Sequence, residues 1–167
     1  MKDSFPRRSL TNNKMLVLSI AGGYGGAERS LEIMLNSLVH RWKLIIVAEN
    51  WEHLARLRQL ELSHQVEVHQ VPRGRTVFSI AWKLLVVLAV LVKNRPGTIL
   101  TNTNKSAMLL AIMAPILPKS MRLGVFIRDF QWVHAAWIFK RLHGRAVFLT
   151  PSEALPSHWP EHYGAKP

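Results

Sequence analysis

Residues 15–28, MLVLSIAGGYGGAE, carry more of the fold than any other stretch of this chain. Met15, Leu16, Val17, Leu18, Ser19 and Ile20 form a short apolar run that Gly22 stops, as expected of a strand buried on both faces of a parallel sheet. Four glycines then fall within residues 22–26. Beyond them Leu31, Ile33, Met34, Leu35 and Leu38 recur at helical spacing, and Glu28 stands where a carboxylate suits the helix dipole, predicting a helix over residues 27–40. Strand, glycine loop and helix together make the opening of a β-α-β unit.

The same alternation continues outward from this stretch. Strands are predicted at residues 44–47, 66–71, 98–100, 123–127 and 146–149, and helices at 52–62, 77–93, 105–113 and 132–142. Strands alternating with helices require right-handed crossovers and an open sheet covered on both faces. The expected fold class is therefore α/β, a Rossmann-like doubly wound parallel sheet in a single domain. Its expected limits are residues 14–164, after a flexible polar N-terminus at 1–13 and before a short end at 165–167.

Composition agrees with one folded body. The 167 residues are 49% hydrophobic and 19% charged, within the globular range. Twenty-two Lys and Arg against ten Asp and Glu give a formal charge of +12, which favours anionic partners: phosphorylated substrates, an acidic membrane surface or nucleic acid. The six Trp form no stacking series with the Arg residues and no nucleic-acid motif is present, so nucleic acid is not the expected partner. Cysteine is absent, which excludes disulfides and thiolate metal sites. The polar, basic start lacks the apolar core of a secretory signal, and a cytoplasmic setting is expected.

The 77–93 segment has two readings. Leu84 to Val92 is an unbroken apolar run, extended upstream by Val77, Phe78, Ile80, Ala81 and Trp82, with Ser79 and Lys83 interrupting. Its span falls short of the roughly 20 residues needed to cross a bilayer. Arg73, Arg75, Lys93 and Arg95 flank it, which suits a helix touching the inner face of a membrane; a helix packed on a sheet is often equally apolar.

Ligands of open parallel sheets lie beyond the carboxyl ends of the strands. The first such loop holds Gly22, Gly23, Tyr24, Gly25 and Gly26, where glycine permits positive φ and close approach of the backbone to a ligand, and where the following helix offers N–H groups to phosphate oxygens. A plain tight turn is the alternative. The loop fits neither a P-loop nor Gly-x-Gly-x-x-Gly, which argues against ordinary NTPase and dinucleotide functions. Asn102 and Asn104 follow the fourth strand and Arg128 and Asp129 the fifth; both pairs suit sugar or anion recognition, or else caps and ion pairs. His158-Trp159-Pro160-Glu161-His162 matches a zinc pattern formally, but Pro160 breaks the helix that pattern needs, so no metal is expected. No Ser-His-Asp set or carboxylate pair is legible, and catalytic residues stay unassigned.

Gly22-Gly23-Tyr24-Gly25-Gly26-Ala27-Glu28-Arg29-Ser30-Leu31 resembles the Gly-Gly-Ala-Glu-Arg segment that opens the first helix of family-4 glycosyltransferases. Asn94-Arg95-Pro96-Gly97-Thr98-Ile99-Leu100 is similar to that family's x-x-Pro-Asp-Val-Val-His approach to the fourth strand, with Gly97 replacing Asp. Gly124-Val125-Phe126-Ile127-Arg128-Asp129 is similar to its His-Asp strand end, with Arg128 replacing His, and Phe148-Leu149-Thr150-Pro151-Ser152-Glu153-Ala154 to its Val-Ser-Glu segment. The four segments occur in the family's order.

The resemblance implies the amino-terminal, acceptor-side half of a two-domain GT-B enzyme that transfers a sugar from a nucleotide-sugar donor to a glycan or lipid-linked acceptor, with retention. It implies donor-phosphate contacts at Gly22, Gly23, Gly25 and Gly26, acceptor contacts at Tyr24, Asn102, Asn104, Arg128 and Asp129, and further cleft positions at Ser152 and Glu153. No cofactor is implied beyond the donor itself. Where the family continues into a nucleotide-binding domain this sequence stops at Pro167, so a C-terminal half or a partner chain is expected to complete it. The other reading, a non-catalytic subunit that recruits a partner to an anionic membrane, rests on the charge and the apolar helix.

Overall fold

A computed structural model describes residues 13–59, 65–74, 76–128 and 134–150. The 1–12 tail, Asp129, Ser152, Glu153, the 158–162 histidine pattern and the 165–167 end lie outside the described residues.

Short apolar strands separated by amphipathic helices fold as one parallel sheet. The strands are β1 (Lys14–Ser19), β2 (Lys43–Ala48), β3 (Val66–Gln70), β4 (Thr98–Thr101), β5 (Arg122–Phe126) and β6 (Ala146–Leu149). Their order across the sheet is β3-β2-β1-β4-β5-β6, with all neighbours parallel. The helices are α1 (Gly26–Leu38), α2 (Trp51–Gln59), α3 (Val77–Asn94), α4 (Asn104–Met113) and α5 (Ala135–Leu142). The α/β doubly wound class expected from the sequence is the observed one.

Strand alternation divides the core into two layers. Leu16, Leu18 and Ile20 face α3, α4 and α5 through Val87, Leu109 and Ile138. Met15 and Val17 face α1 and α2 through Leu31, Leu35 and Leu57. The central strands β1 and β2 are buried along almost their whole length, which is why they read as continuous apolar runs rather than alternating ones.

The long apolar helix packs one face on the sheet and leaves the other exposed. α3 is long and apolar enough to cross a membrane, yet Ser79, Lys83, Val87, Val90, Leu91 and Asn94 are buried on the rest of the fold. Its other face exposes Phe78 (77%), Leu85 (60%) and Val92 (74%), together with half of Trp82. Thr76 starts the helix by accepting from the Ser79 N–H, and Arg95 in the left-handed region ends it before Pro96.

Candidate functional site

The loops after β1 and β4 leave neighbouring strands but lead to helices on opposite faces, α1 on one and α4 on the other. They diverge at the carboxyl rim, the switch point at which open α/β sheets bind ligands. The rim is tied down by side chains. Ser106 Oγ accepts from the Ile20 N–H at 2.8 Å, and Thr103 Oγ1 donates to the Ile20 carbonyl at 2.9 Å.

Gly22, Gly23, Gly25 and Gly26 are exposed at this rim. None of the four has positive φ; Gly25, the N-cap of α1, is extended at −156°. Backbone freedom is therefore not what the glycines supply, contrary to one half of the sequence expectation. A Cβ on Gly23 or Gly26 would meet nothing within 4 Å, so open space lies in front of both. The Glu28 carboxylate accepts from the Gly25 N–H at 2.9 Å and holds the turn from below. The first-turn N–H groups of a helix have no backbone acceptor within it; here the Gly25 N–H is given to Glu28, and open space fronts only Gly23 and Gly26.

Tyr24 sits on the α1–α2 side of the loop. Its hydroxyl donates to Glu32 at 3.0 Å, its ring faces the Arg56 guanidinium at 4.6 Å, and Glu32 also bonds His53 Nδ1 at 2.9 Å. Burial, and after it the Glu32 carboxylate, raises the Tyr24 phenol above its ordinary value. The residue thus braces the loop. Asn102 is also enclosed: it is 1% exposed, and its amide reaches Ser19 Oγ and the Ala27 carbonyl, joining the end of β4 to the first turn of α1. Arg128, half-buried at the end of β5, donates to Ser30 on α1 and stacks over Phe126 at 4.8 Å. Asn104 begins α4 on the far wall.

Four residues at this rim, Glu49, Gly74, Lys83 and Lys105, were not site candidates from the sequence. Glu49, just past β2, is buried and uses both oxygens: Oε1 accepts from Lys83 at 3.1 Å and from the Gly74 N–H at 3.0 Å, and Oε2 accepts from Lys105 at 3.4 Å. Lys83 also donates to the Gly74 carbonyl at 2.8 Å. Gly74 itself has φ +139°, a conformation that side chains rarely adopt, and this permits both of its backbone groups to serve the cluster. Burial pushes the Glu49 carboxyl up, but the hydrogen bonds from Lys83 and Gly74 and the charges of Lys105 and Lys83 outweigh it and hold it below the usual carboxylate range. The signal available in the sequence was Lys83 itself, one ammonium inside an otherwise apolar helix.

A cavity of about 420 Å³ opens beside this cluster, lined by Ile20, Ile80, Lys83, Lys105, Met108 and His134 among others. A larger hollow, about 670 Å³, lies at the opposite, amino-terminal rim, near Trp42, Arg95, Pro118 and Arg122. No residue expected at the site lines the larger one, and it is remote from the strand ends where ligands bind. Among the described residues no group of three or more His, Asp or Glu side chains is placed to hold a metal.

No family model matches the chain, and no curated protein matches it. Solved structures do. Anabaena Alr3699/HepE in complex with UDP-glucose superimposes with a TM-score of 0.66 at 19% identity, over 92% of this chain and 41% of that one. The same protein in complex with UDP gives 0.68 at 18% identity, over 92% and 42%. The chain spans well under half the length of the protein it matches, and at this identity the likeness is one of fold. It has the fold of one part of a protein that has been solved around a nucleotide sugar.

Proposed function

We propose that this chain is the acceptor-side half of a GT-B, family-4-like glycosyltransferase, which moves a sugar with retention from a nucleotide-sugar donor to a glycan or lipid-linked acceptor. The observation that carries the reading is the exposed glycine loop at the start of α1, with open space in front of Gly23 and Gly26, where β1 and β4 lead to opposite faces. The likeness in fold to a protein solved with UDP-glucose supports it.

In this reading the loop backbone at Gly22, Gly23, Gly25 and Gly26 meets the donor diphosphate, with the Gly25 N–H already given to Glu28, and Arg128 and Asn104 on either side meet the acceptor. Asn102 and Tyr24 hold the walls in place. Asp129, Ser152 and Glu153 remain candidates for the same cleft. Catalysis is positional and electrostatic, with fixed donors stabilising the charge that builds on the leaving diphosphate. A second domain or a partner chain holds the nucleotide, so the chain alone binds donor weakly and does not complete transfer. The reaction takes place in the cytoplasm, at or near the inner face of the membrane.

The test is a titration of UDP-glucose into the 15N-labelled chain, reading the backbone amides of the four loop glycines. Binding in the millimolar range, about −4 kcal/mol, is expected of half a site. Shifts centred on Gly22, Gly23, Gly25 and Gly26, and lost in Gly23→Trp, support the reading; saturating donor that leaves those amides unmoved overturns it.

A second reading, membrane recruitment, is favoured by one observation: the outer stripe of α3, with Phe78, Trp82, Leu85 and Val92 exposed and Lys93 and Arg95 at its end. An apolar face and nearby cations are the two signals that stable surface binding needs. Sedimentation with anionic vesicles, abolished by Phe78→Glu and Leu85→Glu, is its expected signature.

A further inference from the structure

The hollow of about 670 Å³ lies at the amino-terminal rim, where α3 and α4 end and β4 and β5 begin. Much of its lining is apolar: Leu91 and Leu117 are buried, and Leu88 and Met121 are half-buried. Trp42, half-buried just before β2, lines it as well, and Arg95 and Arg122 bring two guanidiniums. Cations near the ends of helices are ordinarily accounted for by the partial negative charge of the last carbonyls. Here other residues already serve those carbonyls. Lys14 Nζ donates to the Asn94 carbonyl at the end of α3 at 3.1 Å, and Arg145 donates to the Ala114 and Pro118 carbonyls past the end of α4 at 3.3 and 3.2 Å. The Arg122 guanidinium has no hydrogen-bond or ion-pair partner among the described residues. Nor, among those residues, does a carboxylate line the hollow; Glu67 on β3 is engaged by Lys93 and His69, both at 2.9 Å. Arg95 stands at φ 47°, where a glycine would be free of strain, so a cation is placed beside the hollow at some cost to the backbone.

Surplus positive charge over a recessed apolar lining suits an anion carried on an apolar body. We propose that this hollow is a second ligand site, separate from the transfer site, and that it takes an aromatic carboxylate: the carboxylate on the Arg122 fork, with Arg95 adding its charge, and the ring system against Trp42, Leu91 and Leu117. A guanidinium presents paired N–H groups that match the two oxygens of a carboxylate, and a tryptophan presents a flat apolar face to a second ring. The volume lies within the about 300–1,000 Å³ of sites for small organic molecules, and such sites combine an apolar lining with a few polar groups. A free sugar phosphate fits less well, because its hydroxyls would face Leu88, Leu91, Leu117 and Met121 without partners. A membrane surface fits less well too, since Leu91 and Leu117 are recessed and cannot enter a bilayer. The proposal does not depend on the transferase reading: none of the residues expected to meet donor or acceptor lines this hollow, and it is at the opposite rim from the glycine loop.

The probe is 2-naphthoate, with 2-naphthalenemethanol as the same body without charge and acetate as the charge without the body. Binding is followed by calorimetry and by the Trp42 indole N–H and Met121 methyl signals of the labelled chain. Naphthoate is expected to bind about tenfold to a hundredfold more tightly than either control, the range of a charge-assisted hydrogen bond, and to move both signals. Arg122→Met, a change at an exposed side chain, is expected to bring naphthoate to the level of the alcohol and to leave the alcohol unchanged. Arg122→Lys, which keeps the charge and loses the fork, should fall between the two. Equal binding of naphthoate and the alcohol overturns the proposal, as do Trp42 and Met121 signals that stay still at saturation. Naphthoate shifts centred on Gly22, Gly23, Gly25 and Gly26 would place the ligand at the other rim and also overturn it. Anionic vesicles that move Trp42 and Met121 and are displaced by naphthoate would make the hollow a membrane contact instead. A donor titration that leaves the loop glycines unmoved removes the transferase reading without touching this one.

Discussion

Replacing Lys83 by Met keeps the aliphatic volume inside α3 and deletes the charge. Glu49 would then remain buried with the Gly74 N–H at 3.0 Å and the partly exposed Lys105 at 3.4 Å. The lost attraction across 3.1 Å is roughly 5 kcal/mol at an effective dielectric of about 20. Lys105 still offsets part of the remaining charge and the ammonium no longer needs to be desolvated, so the net loss is expected near the low end of the about 3–5 kcal/mol seen when one member of a buried pair is removed. That is a large share of the ~5–15 kcal/mol available to a domain. Glu49→Gln, which strands Lys83, should cost at least as much. The double variant, with neither charge, should cost less than the sum of the singles by about 2 kcal/mol or more. Urea unfolding followed by tryptophan fluorescence measures all three. Additive single and double effects, or a Lys83→Met variant within about 0.5 kcal/mol of the parent, would refute the view that this ion pair anchors α3 to the strand ends.

Acid provides an independent check. The folded Glu49 and Glu67 carboxyls lie below their ordinary range, the second chiefly through its hydrogen bond from Lys93, so their contribution is complete above the unfolded value of about 4.3 and drains away as pH falls through the lowered folded values. The urea midpoint should therefore hold steady on the way down from neutrality and fall only below that carboxylate range, with a shallower fall in the Lys83→Met, Glu49→Gln pair. The glycines should separate into two kinds. Gly23→Ala, with open space and no positive φ, is expected to change stability by less than about 0.5 kcal/mol, whereas Gly74→Ala, at φ +139° and 3.2 Å from Ser79 Oγ, should cost about 1 kcal/mol or more in the same unfolding assay.

The sheet and its connections were legible because buried parallel strands announce themselves as apolar runs stopped by glycine or polar residues. Residues 15–20 and 44–47 needed no further context. α3 was harder. Its two faces are nearly equally apolar, and the face with Phe78, Trp82 and Leu85 turns outward while the one carrying Lys83 turns in. Helical periodicity cannot make that choice, since the deciding partner, Glu49, lies 34 residues away in sequence. At the site, the glycine loop was found from local spacing. Lys105 and Glu49 were not, because their meaning arises only where the segments after β2 and β4 meet across the end of β1. Arg128 stood out as a strand-end residue, but its reach to Ser30 on α1 is a property of the folded sheet.

The strand order has a further consequence for how the molecule is made. β1 lies at the middle of the sheet, and its second neighbour is β4, with Met15 opposite Thr98, 83 positions later. Translation at about 5–20 residues per second leaves an interval of roughly 4–17 s in which β1 has emerged but half its pairing partner has not been synthesised. During that time one of the most apolar edges in the protein is without its second partner strand, so the growing polypeptide presents a pairing edge that the finished fold does not.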